Sequence, residues 1–163
     1  MLALPALDRP LRRWRKFDPA ARAGMPAHVT LVFPFMDSRG VDEAVRVRLR
    51  DALAPFGPIE MTFDRLGSFP GGVWLEPADP AAPLRLIEAL AGAFPEHPPY
   101  GGAFERLIPH ATIAQGPPDL VARIQRDAPR RLPLTARAEA VSLFARFDDG
   151  WVPIERFALM GRG

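Results

Sequence analysis

Short apolar runs bounded by Pro and Gly alternate along this chain with stretches whose apolar residues recur every three to four positions, a pattern that predicts strands and helices in turn. Leu2 to Leu7 reads as a strand, with Asp8 as a cap for the basic, helical stretch Arg12-Arg13-Trp14-Arg15-Lys16. Gly24 and Pro26 then punctuate the chain, and an apolar strand opens at His28 and runs through Val32 and Phe33 to Pro34. Residues 41–54 set Val41, Ala44, Val45, Leu49, Ala52 and Leu53 along one stripe of a helix, ended by Pro55 and Gly57. Ile59 to Leu66 and Val73 to Leu75 predict a strand pair about the turn-rich residues 68–72. A helix over 82–94 and a Pro/Gly-rich loop from Pro95 to Gly102 come next.

The pattern then begins again. A strand over 107–114 is followed by a short helix near 119–127, a strand within 132–146, a turn at Asp148-Asp149-Gly150 and a last strand over 151–159. Leu2 to Leu7 begins one copy of a strand–helix–strand–helix–strand order, and Val73 to Leu75 begins a second. A duplicated unit of this kind places corresponding strands about a pseudo-twofold axis, in one domain of two intertwined lobes, approximately 1–72 and 73–163.

The two copies share a polar signature. His28-Val29-Thr30-Leu31 and His110-Ala111-Thr112-Ile113 carry the same His-x-Thr frame in apolar sequence. Positions i and i+2 of a strand point to the same face, ~7 Å apart, so each frame presents one imidazole beside one hydroxyl. Thr30, Thr62, Thr112 and Thr135 are the only threonines, so a Thr two residues after a His is expected at ~2% of positions. Two such frames among three histidines arise by composition in roughly 0.2% of chains, so the pair reads as function rather than core packing. His97, in a loop without this frame, reads as an ordinary exposed residue.

Composition narrows the chemistry. At 163 residues with 48% hydrophobic content the chain can bury a full core. Cysteine is absent, which excludes disulfides, thiolate catalysis and Cys-ligated zinc. Twenty of the 21 basic residues are arginine, suited to bidentate phosphate contact, yet the formal charge of +2 argues against a broad nonspecific nucleic-acid surface. No apolar run approaches the ~20 residues of a membrane span. The leading segment carries its charges after its apolar residues, the wrong order for a secretory signal, and a cytoplasmic location is expected; a monomer is expected as well.

Two imidazoles facing one cleft suit in-line displacement at a phosphodiester: one takes a proton from the attacking oxygen and the other protonates the leaving oxygen. The two threonine hydroxyls can donate to the nonbridging oxygens. This scheme uses no metal and no cofactor.

The paired frames resemble the 2H phosphoesterase superfamily. Gly24-Met25-Pro26-Ala27-His28-Val29-Thr30-Leu31-Val32-Phe33-Pro34-Phe35, and Pro98-Pro99-Tyr100-Gly101-Gly102-Ala103-Phe104 leading to Pro109-His110-Ala111-Thr112, are similar to bacterial 2'-5' RNA ligase family proteins. The resemblance implies a bilobal α+β fold with antiparallel sheets lining a central cleft and helices outside. It also implies metal-independent handling of RNA ends or nucleotides with 2',3'-cyclic phosphates or 2'-5' linkages, by hydrolysis or reversible ligation. His28 and His110 become the acid/base pair, and Thr30 and Thr112 the phosphate binders. Phe35 and Tyr100 are candidates for stacking on a base, while Phe104, Trp74 and Trp151 read as core. Trp14 with Arg12, Arg13 and Arg15 could grip a second phosphate or form a solvated helix. Two alternatives stand: a nucleotide or RNA-end binding module using the same cleft without turnover, and a His-ligated metal hydrolase, disfavoured because threonine occupies the second ligand position.

Overall fold

A computed structural model describes residues 1–161. Eight strands, β1 (Leu2–Ala3), β2 (His28–Val29), β3 (Ile59–Phe69), β4 (Gly72–Pro77), β5 (Ala111–Gln115), β6 (Leu134–Ala138), β7 (Ala140–Phe147) and β8 (Gly150–Ala158), form one sheet. Every pairing is antiparallel, in the order β6-β3-β4-β5-β2-β1-β7-β8. Five helices accompany it: α1 (Asp8–Arg15), α2 (Pro19–Arg22), α3 (Glu43–Leu53), α4 (Ala81–Ala93) and α5 (Pro118–Asp127). Asp42 caps α3 by accepting from the Val45 amide at 2.9 Å, and Pro118 opens α5 where its missing N–H costs nothing.

The order is symmetric about the β5–β2 junction, with four strands on either side. The sequence-based division near residues 72 and 73 falls at the start of β4, just after the β3–β4 turn, so β3 belongs to the first copy by sequence but lies beside β4, in the second half of the sheet. In space one half consists of β3 to β6, and the other of β1, β2, β7 and β8. The hydrogen bonding is also continuous across the middle, giving one sheet rather than two.

The strand expected within 132–146 is two strands separated only by Glu139. In a flat sheet β6 and β7 would lie six strand spacings apart, ~29 Å. Ala138 and Ala140, two residues apart in the chain, can be separated by no more than ~7 Å. The sheet therefore curls, drawing its two halves together at that end of the strands.

One face of the sheet is closed by the core. Leu2, Val29, Leu31, Phe63, Val73, Leu75, Ala111 and Ile113 are all at most 1% exposed, together with Leu11 and Trp14 of α1, at 1% and 2%. The residues between them, 28, 30, 110 and 112, therefore point to the opposite face. The first histidine strand is shorter than expected. It ends at Val29, and Thr30 to Met36 form an irregular loop in which Pro34 has no amide to give to a ladder. Likewise β5 begins at Ala111, directly after His110.

Among the described residues no helix is long and apolar enough to cross a membrane.

Candidate active site

The site is built on the β2–β5 junction. Val29 pairs with Ala111, so residue numbers of opposed positions sum to 140, and the same register sets His28 across from Thr112 and Thr30 across from His110. Four side chains from two distant frames thus occupy one patch on the face opposite the core, each imidazole beside the other frame's hydroxyl. All four are partly exposed, whereas Val29 and Ala111 between them are sealed.

Both imidazoles are held the same way. His28 Nδ1 lies 2.8 Å from the Pro26 carbonyl oxygen, and His110 Nδ1 lies 2.7 Å from that of Ile108. A carbonyl can only accept, so Nδ1 carries the hydrogen and Nε2 is left to face the open side of the sheet. The proline preceding each frame, Pro26 or Pro109, lies within this carbonyl-to-histidine segment.

The surroundings of the two histidines differ. Burial drives the His28 pKa down to about 4, partly opposed by the Pro26 carbonyl; the positive charges of the Met1 amino group, Arg15 and His110 press it further down. His28 is therefore a neutral imidazole at neutral pH. His110 instead packs against the Trp74 indole, ring centroids 5.2 Å apart. Trp74 is fixed in turn by Phe69, stacked at 5.3 Å, and by Glu76, whose Oε1 accepts from the indole Nε1 at 3.0 Å. The indole fits because position 67 is glycine: a Cβ there would overlap Trp74 Nε1 and Glu76 Oε1.

Behind the sheet, Arg15 ties both frames together. Its guanidinium is buried and paired with Asp8 at 2.7 Å and Asp18 at 3.4 Å. It donates to the carbonyls of Met25, at 2.7 Å, and Thr112, at 3.4 Å. Asp8 also accepts from the Ala27 amide at 3.0 Å. Both readings of Arg15, phosphate contact and a solvated helix face, are thus overturned: it points inward because two carboxylates and two carbonyls there compensate its burial. Trp14 is likewise core, at 2% exposure.

Along the loop that follows Thr30, from Val32 to Met36, opens a groove of about 500 Å³ with Phe33, Phe144, Trp151 and Ile154 in its walls. Tyr100, with its backbone in the left-handed region at φ 53° and its amide donating to the Phe33 carbonyl, bonds its hydroxyl to Thr30. Its burial raises the phenol's pKa. Phe35 reaches the groove wall with its ring turned toward Phe94 and His97, centroids 5.0 and 5.3 Å away. Phe104, expected in the core, is 61% exposed and packs edge-on against Tyr100. Trp74 and Trp151 also leave the core for the cleft side. Trp74, Glu76 and Gly67 were missed as site residues; alternation along Val73-Trp74-Leu75-Glu76 would have put Trp74 and Glu76 on the face opposite Leu75.

Among the described residues no group of three or more His, Cys, Asp or Glu converges as a metal site.

An α+β chain that joins two His-x-Thr frames at the centre of one antiparallel sheet is a 2H phosphoesterase fold. The family model of the 2'-5' RNA ligase superfamily matches residues 3–150, and the chain belongs to that superfamily. No curated protein matches it. Among solved structures it is similar to TT0787 of Thermus thermophilus at 19% identity and TM-score 0.65, with 99% of this chain and 97% of that one covered. It is also similar to Escherichia coli LigT in its apo form, at 20% identity, TM-score 0.59, and 98% and 94% coverage. LigT complexed with 3'-AMP matches at 22% identity, TM-score 0.55, and 97% and 94% coverage. At these identities the likeness establishes the fold.

Proposed function

We propose that this protein is a metal-independent phosphoesterase acting on RNA ends or nucleotides that carry a 2',3'-cyclic phosphate or a 2'-5' linkage. The observation that carries the reading is the cross-register of the two frames, which gathers two imidazoles with free Nε2 atoms and two hydroxyls on one patch. That LigT, of the same fold, has been solved with 3'-AMP, NADP+ and ATP supports a nucleotide ligand.

In the hydrolytic direction His28, neutral at physiological pH, takes a proton from water at Nε2 as the water oxygen bonds to phosphorus. The bond from phosphorus to the 2' or 3' oxygen breaks, and His110, protonated at Nε2, returns a proton to that leaving oxygen. Thr30 and Thr112 donate to the nonbridging oxygens, where negative charge increases. Ligation runs the same steps in the same direction, with a 5'-hydroxyl in place of water, and the reverse course cleaves a 2'-5' linkage back to the cyclic phosphate. The groove along the loop after Thr30 then receives the base against Phe33 and Trp151, whose rings meet edge-on at 6.3 Å, with Phe35 in its wall.

The test is incubation with a 2',3'-cyclic nucleotide, a 2'-5' dinucleotide and a cyclic-phosphate-ended RNA. His28→Ala and His110→Ala should each lower turnover by at least ~10², and Thr30→Ala and Thr112→Ala by less. Wild-type turnover in either histidine variant would overturn the mechanism. Binding without product in the unmodified protein would make the cleft a binding module.

A further inference from the structure

Outside the site, exposed arginines line three depressions that share walls. The first, about 490 Å³, runs along Arg12, Lys16 and Arg22 to Pro26, whose carbonyl holds His28. The second, about 550 Å³, takes Arg12 as one wall and continues past Arg9 to Arg13 and Arg131. The third, about 380 Å³, takes Arg13 and Arg131 and ends at Arg130. The result is a basic track that crosses the exposed side of α1, behind the sheet, to the segment after α5, and that reaches the site's side of the sheet at Gly24, where the adjacent Ala23 carbonyl accepts from the amide of Trp151 in the groove wall at 2.7 Å.

Almost no acid neutralises it. Asp8 and Asp127 are its only carboxylates; Asp8 is bound to buried Arg15, and Asp127 to Arg13 at 3.4 Å. Arg9, Arg12, Lys16, Arg22 and Arg130 form no ion pair among the described residues. The chain has nearly as many acids as bases, 19 against 21, so a track of one sign is a local arrangement. The guanidiniums are also ordered: those of Arg13 and Arg131 lie against the same buried Trp14 ring, 4.9 and 5.6 Å from its centroid. Arg131 also donates to the Pro10 carbonyl at 3.5 Å. Two like charges fixed on one ring repel each other and gain most from a bound anion.

We infer that this track binds the sugar–phosphate backbone of a single-stranded RNA whose reacting end lies at His28 and His110. The inference rests on the proposed function only for the choice of RNA. Successive phosphates, rather than a single one, fit three connected depressions, and arginine forks grip phosphate oxygens two at a time. The track extends the substrate from a nucleotide to an oligonucleotide, with no base contacts and therefore little sequence preference along it.

The test uses a fluorescein-labelled 12-nucleotide RNA ending in a 3'-phosphate, read by anisotropy across a salt series, with an Arg12→Glu/Arg130→Glu/Arg131→Glu variant of the full chain. All three side chains are exposed and outside the site; circular dichroism checks the fold. The expected result is a Kd at least ten-fold higher in the variant and a shallower salt slope, by ~0.7 for each phosphate that is no longer neutralised. Turnover of a 2',3'-cyclic mononucleotide should stay at the wild-type value. RNA affinity unchanged by the triple substitution, or no greater than that of the mononucleotide, overturns the inference. Variant-sensitive binding to anionic phospholipid vesicles without RNA binding also overturns it. If RNA binding falls in the variant while no cyclic phosphate is turned over by the wild type, the track stands and the phosphoesterase reading fails.

Discussion

Replacing Arg15 with methionine keeps most of the side-chain volume and removes the one charge that α1 places behind both His-x-Thr frames. The guanidinium contacts Asp8, Asp18 and the carbonyls of Met25 and Thr112, and Asp18 is itself only 1% exposed. Removing one partner of a buried ion pair costs about 3–5 kcal/mol, because the other charge remains buried and uncompensated. Two features set this case at the lower end. Asp18 keeps two bonds from the Ala20 and Ala21 amides, at 3.2 and 3.3 Å, and Asp8 is 39% exposed, so water can solvate it. The expected loss is therefore ~3 kcal/mol, equivalent to ~6–12 °C in Tm for a domain of this size. Urea denaturation at pH 7 followed by circular dichroism measures it. Adding Asp18→Asn to the Arg15→Met background removes the orphaned charge and should recover at least ~1 kcal/mol relative to the sum of the single losses. A loss below ~1 kcal/mol in Arg15→Met, or simple additivity in the double variant, refutes the pairing as the source of stability.

Two further outcomes follow from the site. Gly67→Ala places a methyl group where Trp74 and Glu76 now lie; it should destabilise by ~1–3 kcal/mol and lower turnover by displacing the indole from His110, whereas Ser68→Ala on the same strand should do neither. The comparison is read by thermal unfolding and by cyclic-phosphate hydrolysis, and equal behaviour of the two variants would show that the indole position does not matter. His28 has a folded pKa of about 4 against 6.5 for an ordinary histidine, so the unfolded chain binds the extra proton first. Stability is then full above pH 6.5 and falls as pH drops toward 4, by at most ~3 kcal/mol. A His28→Gln variant should lose that part of the pH dependence in urea titrations; an unchanged slope would mean that His28 is not held neutral by its surroundings.

Much of this architecture was legible in the sequence. The helices of residues 43–53 and 81–93 lie where three-to-four-residue apolar spacing placed them, and the β3–β4 and β7–β8 turns fall at their Gly-containing segments. The paired frames were visible because they repeat. Pairing partners were not, since alternation shows which face a residue takes but not which strand lies beside it. That is why the exchange of β3 into the other half, and the cross-register of His28 with Thr112, emerge only in three dimensions. Arg15 was misread for a related reason. A run of arginines looks like a solvated face, and nothing local shows that Asp8, Asp18 and two carbonyls converge on one member of it. Phe104 was assigned to the core as an aromatic and Trp151 as an aromatic in a predicted strand, but Phe104 lies in a loop and Trp151 next to the β7–β8 turn, both on the cleft side.

The one-residue link at Glu139 and the pairing of Leu2 with Val141 bear on how the chain is made. On the ribosome β1 is synthesised well before its outer neighbour β7, which arrives some 140 residues later. Until then β1 presents an open edge, and β3 waits for β4 and β6. The first copy of the unit therefore cannot complete its sheet as it emerges. The sheet is expected to close only once β7 has emerged, with the earlier strands dependent until then on protection from edge-to-edge association.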